Sequence, residues 1–276
     1  MSNSGLANAE DLLHFAEAFG SAEELPRIVR QLVLETVPSL RSLEFAAGKG
    51  VLGGGWDGIV DAPEGTAFVP EGISAWELSV NKDTTAKANK DYTKRLTGPG
   101  DVTPRDCTYV QVSLRRWGNK QRWADDRESE GRWKAVRAYD IETWLETAPA
   151  SHLRVSKSLG IAKDGVDGCD SWWDRWAART TPTMAEALVM GGREGVASAV
   201  GAYFDGTPTL RSIAGGSRED ALAFVAAVLR TDSALESARA RALIVEDVGT
   251  WQQLVIEPGP LVLLPAADDV IALAWG

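Results

Sequence analysis

GWDGIV, residues Gly55 to Val60, and ISAWELSVNKDTTAKANKDYTKR, residues Ile73 to Arg95, decide how this chain is read. Each opens as an apolar, strand-like run, and each carries one carboxylate inside it: Asp57 in the first, Glu77 in the second. A carboxylate in such a run is costly to desolvate unless hydrogen bonds, a partner cation or a metal ion compensate. Asp57 also reads as the turn-forming residue of an Asp-Gly pair, and Glu77 as the salt-bridge partner of a nearby lysine.

Around these stretches the pattern alternates. EELPRIVRQLVLETV puts Leu25, Ile28, Val29, Leu32 and Val33 on one helical face, with Pro26 in the first turn. SLRSLEFAAG, WDGIVDAP and ISAWELSV then read as three strands, with GKGVLGGG a glycine-rich turn and GTAFVPEG a short strand or hairpin arm. TTAKANKDYTKR has helical composition capped by Thr84 or Thr85. CTYVQVSLRRW and KAVRAYD read as strands, and NKQRWADDRESEGRW and IETWLETAP as helices. This order predicts an α/β domain over residues 1–150, with Asp57 and Glu77, 20 residues apart (77 minus 57), as neighbours on adjacent antiparallel strands.

Residues 151–178, with KDGVDGCD and the tryptophan cluster SWWDRW, read as a linker. From 179 to 276 the pattern resumes: TPTLRSIAGG as strand and turn, SREDALAFVAAVLRT as a helix capped by Ser217, ARALIVED as a strand, VGTWQQLVI as a helix and GPLVLLPA as a strand. That alternation predicts a second α/β domain with a mostly parallel sheet. The closing apolar run DDVIALAWG predicts that further C-terminal domains follow, with a regulatory or sensing role.

The start MSNSGLANAEDLLHFAEAF lacks the basic and apolar regions of a leader, and no apolar span is long enough to cross a bilayer, which predicts a cytoplasmic protein without membrane partners. Cys107 and Cys169 have neither zinc-ligand nor disulfide spacing and read as reduced thiols; His14 and His152 are isolated. A net charge of -10 argues against a protein that coats nucleic acid. The charge is uneven, however: between Lys82 and Arg122 ten basic residues face four acids, a local +6 that leaves -16 for the remainder. That asymmetry permits a basic face on an acidic protein.

Two carboxylates brought together at strand ends repel one another, which favours a hard divalent cation, Mg²⁺ or Mn²⁺, bound through oxygen. Such a cation activates water and neutralises charge that grows in phosphodiester hydrolysis, and a nearby lysine supports the phosphate. The order of helix, strand, WDG strand, WELS strand and KANKDYTKR resembles the restriction-endonuclease-like PD-(D/E)XK nuclease superfamily over roughly Leu25 to Ala150. It is similar, more narrowly, to the nuclease-like domain at the N-terminus of large bacterial antiphage-defence NTPases.

The resemblance implies a mixed sheet flanked by helices and a DNA endonuclease in which Asp57 and Glu77 ligate the metal. Ser79 stands two residues after Glu77, where the superfamily carries its lysine. The superfamily sometimes moves that lysine onto the following helix, which makes Lys87 the third catalytic residue, ahead of Lys82; Glu35 or Glu44 could add a carboxylate. Lys82, Lys90, Lys94, Arg95, Arg115 and Arg116 are the expected DNA contacts, with Trp117 and Trp123 either stacking near the duplex or packing between helix and sheet. Double-strand cleavage would call for a homo-oligomer. The loss of the strand lysine also suits a different class, a non-catalytic module that binds nucleic acid or protein on a degenerate nuclease fold. Gly215 to Asp220 lacks GK[ST] and reads as a turn and helix cap, and Gly191 to Gly195 is similarly ambiguous.

Overall fold

The structure is a computed structural model that describes residues 6–18, 20–45, 55–162, 165–204, 211–213, 215–256 and 261–275. It divides into two units, Met1–Ala162 and Lys163–Gly276. The first unit runs α1 (Ala9–Glu17), α2 (Ser21–Thr36), β1 (Ser42–Phe45), β2 (Gly58–Ala62), β3 (Gly72–Ser79), α3 (Thr84–Thr97), β4 (Thr108–Ser113), α4 (Lys120–Glu128), β5 (Ala135–Asp140), α5 (Ile141–Leu145) and α6 (Pro149–Ser158). Its sheet has the order β1-β2-β3-β4-β5. The first three strands form an antiparallel meander, while β4 and β5 join in parallel.

Alternation along the strands makes three layers. Val60, Trp76, Val110 and Val112 face a core with Leu25, Val29, Leu32 and Val33 of α2 and Ile141, Trp144 and Leu145 of α5. Ala75, Tyr109, Val136 and Ala138 face the opposite way, onto Ala88 and Tyr92 of α3 and Trp123 and Ala124 of α4. Side chains two apart on a strand share a face, so Glu77 and Ser79 lie on the α3 side with Ala75. The parallel joint between β3 and β4 requires a crossover, and α3 is that crossover.

Several expectations change. GTAFVPEG forms turns, because a Thr66 hydroxyl accepts from the Phe68 and Val69 amides and closes the segment on itself. α2 begins two residues early, after Gly20 at φ 91°, so Pro26 lies in the second turn and leaves the Ala22 carbonyl without its helical donor. The first unit extends past 150, because α6 packs on α2. Residues 151–178 are therefore no linker. Glu35 shows why: buried in α2, it accepts from the Ala150 and Ser151 amides at 2.8 and 2.7 Å and caps α6. That employment removes Glu35 from the catalytic set. Glu35→Ala is expected to destabilise the first unit by about 1–3 kcal/mol in urea unfolding, with the folded protein's chemistry unaffected.

The second unit contains β6 (Val166–Gly168), α7 (Cys169–Ala177), α8 (Glu186–Met190), α9 (Glu194–Phe204), α10 (Arg218–Thr231), α11 (Glu236–Arg241), β7 (Ala242–Val245), α12 (Val248–Leu254), β8 (Val262–Pro265) and α13 (Asp268–Trp275). Its sheet has the order β6-β7-β8, antiparallel at β6–β7 and parallel at β7–β8, so it is mixed where a mostly parallel one was expected. The tryptophan cluster is helix α7, with Trp172 and Trp173 buried against Ala223 to Leu229 of α10. The expected strand in TPTLRSIAGG has its first residues outside those described, and residues 211–213 are irregular. Ser217 caps α10 by accepting from the Asp220 amide at 3.1 Å, and Arg218 pairs with Asp268. Cys107 and Cys169 are buried thiols, and burial pushes Cys107 up to about 11.

Candidate active site

Asp57 immediately precedes β2, and its amide donates to the Trp76 carbonyl at 3.1 Å, just before the Gly58–Trp76 pair at which the hairpin register begins. Asp57 and Glu77 thereby adjoin at the end of the hairpin and line the same cleft. The neighbours expected from the spacing are therefore present. Asp57 Oδ2 accepts from the Leu78 amide at 2.7 Å, which fixes one carboxylate oxygen.

A cleft of about 310 Å³ opens beside this pair. Asp57, Glu77 and Ser79 line it from the sheet, Lys87, Asp91 and Lys94 from α3, and Leu25 and Pro26 from α2. The α3 contribution follows from helical spacing: Lys87, Asp91 and Arg95, each four residues after the last, form one stripe on the inner face. Lys87 pairs with Asp91, and Arg95 pairs with Glu77. Arg95 also donates to the Gly55 carbonyl, and its guanidinium lies 4.3 Å from the Trp56 ring centroid. Trp56 is held in turn by its Nε1 donating to the Pro99 carbonyl at 2.8 Å.

The acids crowd together: Asp57, Glu77 and Asp91 lie close to one another, with Lys87 and Arg95 paired into the cluster and Lys94 on the exposed side of the cleft. Burial raises the Glu77 pKa to about 7, the Asp57 charge pushes in the same direction, and Arg95 opposes both. Asp57 is also raised, first by burial and then by the Asp91 charge, against the Leu78 amide and the cations.

A pH dependence of stability follows. Both carboxyls hold protons more tightly when folded than when unfolded, so their contribution is complete below the ordinary carboxylate range and is lost as pH rises toward about 7. Asp140 titrates in the opposite sense: burial raises it, but Lys120, Thr143 and the Trp117 amide outweigh burial and lower it, so it acts only at more acidic pH. The melting temperature in metal-free buffer is expected to fall between pH 5 and 7 at constant ionic strength. A flat or rising profile in that window would contradict the buried carboxylate pair.

The other expected residues divide clearly. Lys87 reaches the cleft, as does Lys94, whereas Lys82 is 78% exposed and turned to Glu17 at 3.2 Å, so of Lys87 and Lys82 it is Lys87 that the cleft receives. Glu44 is exposed on the edge strand β1, outside the cleft lining. Lys90, Lys94 and Arg116 are exposed, as phosphate contacts require. Arg95 and Arg115 do not fit that role: both are buried, Arg95 on Glu77 and Arg115 donating to the Val80 carbonyl at 2.9 Å. Trp117 and Trp123 pack in the α3 and α4 core, their ring nitrogens donating to Thr85 at 3.1 Å and Asn89 at 2.8 Å, the packing alternative. His152 lies 2.7 Å from the Ala7 carbonyl, a partner 145 residues away in the chain and not a local one.

No protein-family model, curated protein or solved structure matches this chain. The reading of the site therefore rests on its own geometry. Sequence reasoning missed Asp91 as a site residue and assigned Arg95 to DNA. The signal was available in KANKDYTKR, where spacing by fours marks both as sharing the face of Lys87.

Proposed function

We propose that the first unit is a metal-dependent endonuclease domain that hydrolyses phosphodiester bonds of DNA, on a restriction-endonuclease-like fold of the PD-(D/E)XK type. The observation that carries this reading is the convergence of Asp57, Glu77 and Lys87 on one cleft from a hairpin and the following helix. Asp57 and Glu77 would hold Mg²⁺ or Mn²⁺. Among the described residues no three carboxylate, histidine or cysteine side chains cluster as a metal site, which leaves a two-carboxylate set. Such a set fits Mg²⁺, which keeps several waters and takes substrate phosphate oxygens as its other ligands. The mutual repulsion of the carboxyls supports it as well, since a divalent cation would relieve it and make the cleft more attractive to a phosphodiester.

The cation would supply Lewis acidity at the scissile phosphate and lower the pKa of a bound water. The chain's own groups do the rest. Asp57, fixed by the Leu78 amide, and Glu77, fixed by Arg95, present oxygens in a set orientation. Lys87 brings a positive charge to the phosphate or the attacking water, and Lys90, Lys94 and Arg116 offer exposed charge for the flanking backbone. The natural setting of such an activity is the effector part of a cytoplasmic bacterial defence protein, with the second unit regulating it. No helix among the described residues is long and apolar enough to cross a membrane.

The test is cleavage of supercoiled plasmid with Mg²⁺ or Mn²⁺ by wild type and by Glu77→Ala and Lys87→Ala variants shown to be folded. Cutting that requires both residues is the expected result. An absence of cutting, with DNA binding equal in all three proteins, would favour the non-catalytic binding module.

A further inference from the structure

Lys87 is a long, flexible side chain on a helix, and a lysine loses rotamer freedom when fixed. Something must hold its ammonium in the cleft for it to act at a defined point. Asp91 is placed to do so. It lies one turn further along α3, is 4% exposed, and both of its carboxylate oxygens accept from Lys87 Nζ. The Lys87 side chain remains 33% exposed, so its charge still faces the cleft opening.

Asp91 has no evident structural employment of the kind seen at Glu35 or Asp140. Those two carboxylates cap helices through backbone amides. The hydrogen bonds to Asp91 come from Lys87 alone among the described contacts. It also stands close enough to Asp57 and Glu77 to raise both electrostatically. A buried anion facing two like charges is costly, and that cost marks a group retained for what it positions.

We propose that Asp91 is a positioning residue whose buried carboxylate holds the Lys87 ammonium in the cleft of Asp57 and Glu77. The inference rests on the nuclease reading for its catalytic consequence but not for the contact itself. It divides the α3 stripe into two matched pairs: Lys87 is set by Asp91, and Arg95 sets Glu77. Each functional group on the cleft wall then has a fixed partner, the condition for a preorganised site.

The experiment compares wild type, Asp91→Asn and Asp91→Glu, each checked for an unchanged circular dichroism spectrum, by two readouts. The first is the rate of lysine acylation at Lys87, read by mass spectrometry against exposed Lys90 as internal control. Asp91→Asn should speed labelling of Lys87 several-fold relative to Lys90, and Asp91→Glu, which keeps the charge, should restore much of the protection. The second is plasmid cleavage at saturating DNA. Asp91→Asn should lose on the order of 10- to 100-fold in kcat with KM little changed, as expected for a group that orients another. Equal Lys87 labelling in wild type and Asp91→Asn overturns the proposal, as does a cleavage loss that Asp91→Glu shares in full. A wild type that protects Lys87 but cuts no DNA counts against the nuclease reading while upholding the contact.

Discussion

Asp57→Asn is expected to lower Mg²⁺-dependent plasmid cleavage by about 10³-fold or more while leaving the metal-free protein at least as stable as wild type. The two effects have one cause. Burial and the Asp91 charge disfavour the ionised form of Asp57, an arrangement that costs stability and is useful when a cation is bound. Asparagine keeps an oxygen that can accept from the Leu78 amide, so the local backbone geometry survives. It removes the anionic ligand, and several kcal/mol of metal-derived transition-state stabilisation translate to about 10³-fold at 1.36 kcal/mol per factor of ten. Mg²⁺ should raise the melting temperature of wild type, since a ligand that binds only the folded state stabilises it, and should leave that of the variant unmoved. Retained cleavage in Asp57→Asn, or a melting temperature low enough to account for the loss, would defeat the assignment.

The largest stability effect is expected at Trp76. Its side chain is fully buried, stacks on Trp144 with ring centroids 5.9 Å apart, meets Phe45 edge-on at 5.9 Å, and satisfies its ring nitrogen through Ser74 Oγ at 2.9 Å. Trp76→Ala removes the centre of the core between the sheet and α5 and leaves a cavity that rigid neighbours can close only in part. The cost should be about 3–5 kcal/mol. For a unit of this size that corresponds to a fall of roughly 6–20 °C in melting temperature. The consequence for the site is direct, because Trp76 and Glu77 are adjacent on β3 and point to opposite faces. A loosened Trp76 loosens Glu77, so cleavage should fall further than the loss of folded protein explains. A melting temperature within 3 °C of wild type would show that this core is not what holds β3 in place.

The contrast between Glu35 and Glu77 shows how much a sequence reveals of such a site. Both are carboxylates among apolar neighbours, and both are raised by burial. One closes a helix end more than a hundred residues away in the chain, the other faces a second carboxylate across a hairpin. Nothing local distinguishes them, since the partner that decides each role is distant in sequence. Likewise Arg95 and Lys94 are adjacent, yet one is buried on Glu77 and the other lies at the cleft rim. Only the direction in which α3 presents its inner face separates them.

What the sequence determined by itself is what depends on short-range chemistry. Patterns of apolar residues specified all five strands of the first sheet, helical periodicity specified α2, helical composition specified α3, and a 20-residue spacing brought Asp57 beside Glu77. The tertiary structure alone decided the mixed pairing of the second sheet, the reach of the first unit to Ala162, and which lysine enters the cleft. Those outcomes depend on packing one element against another across long stretches of chain, where burial and ion pairing select among side chains that local propensity treats as equal.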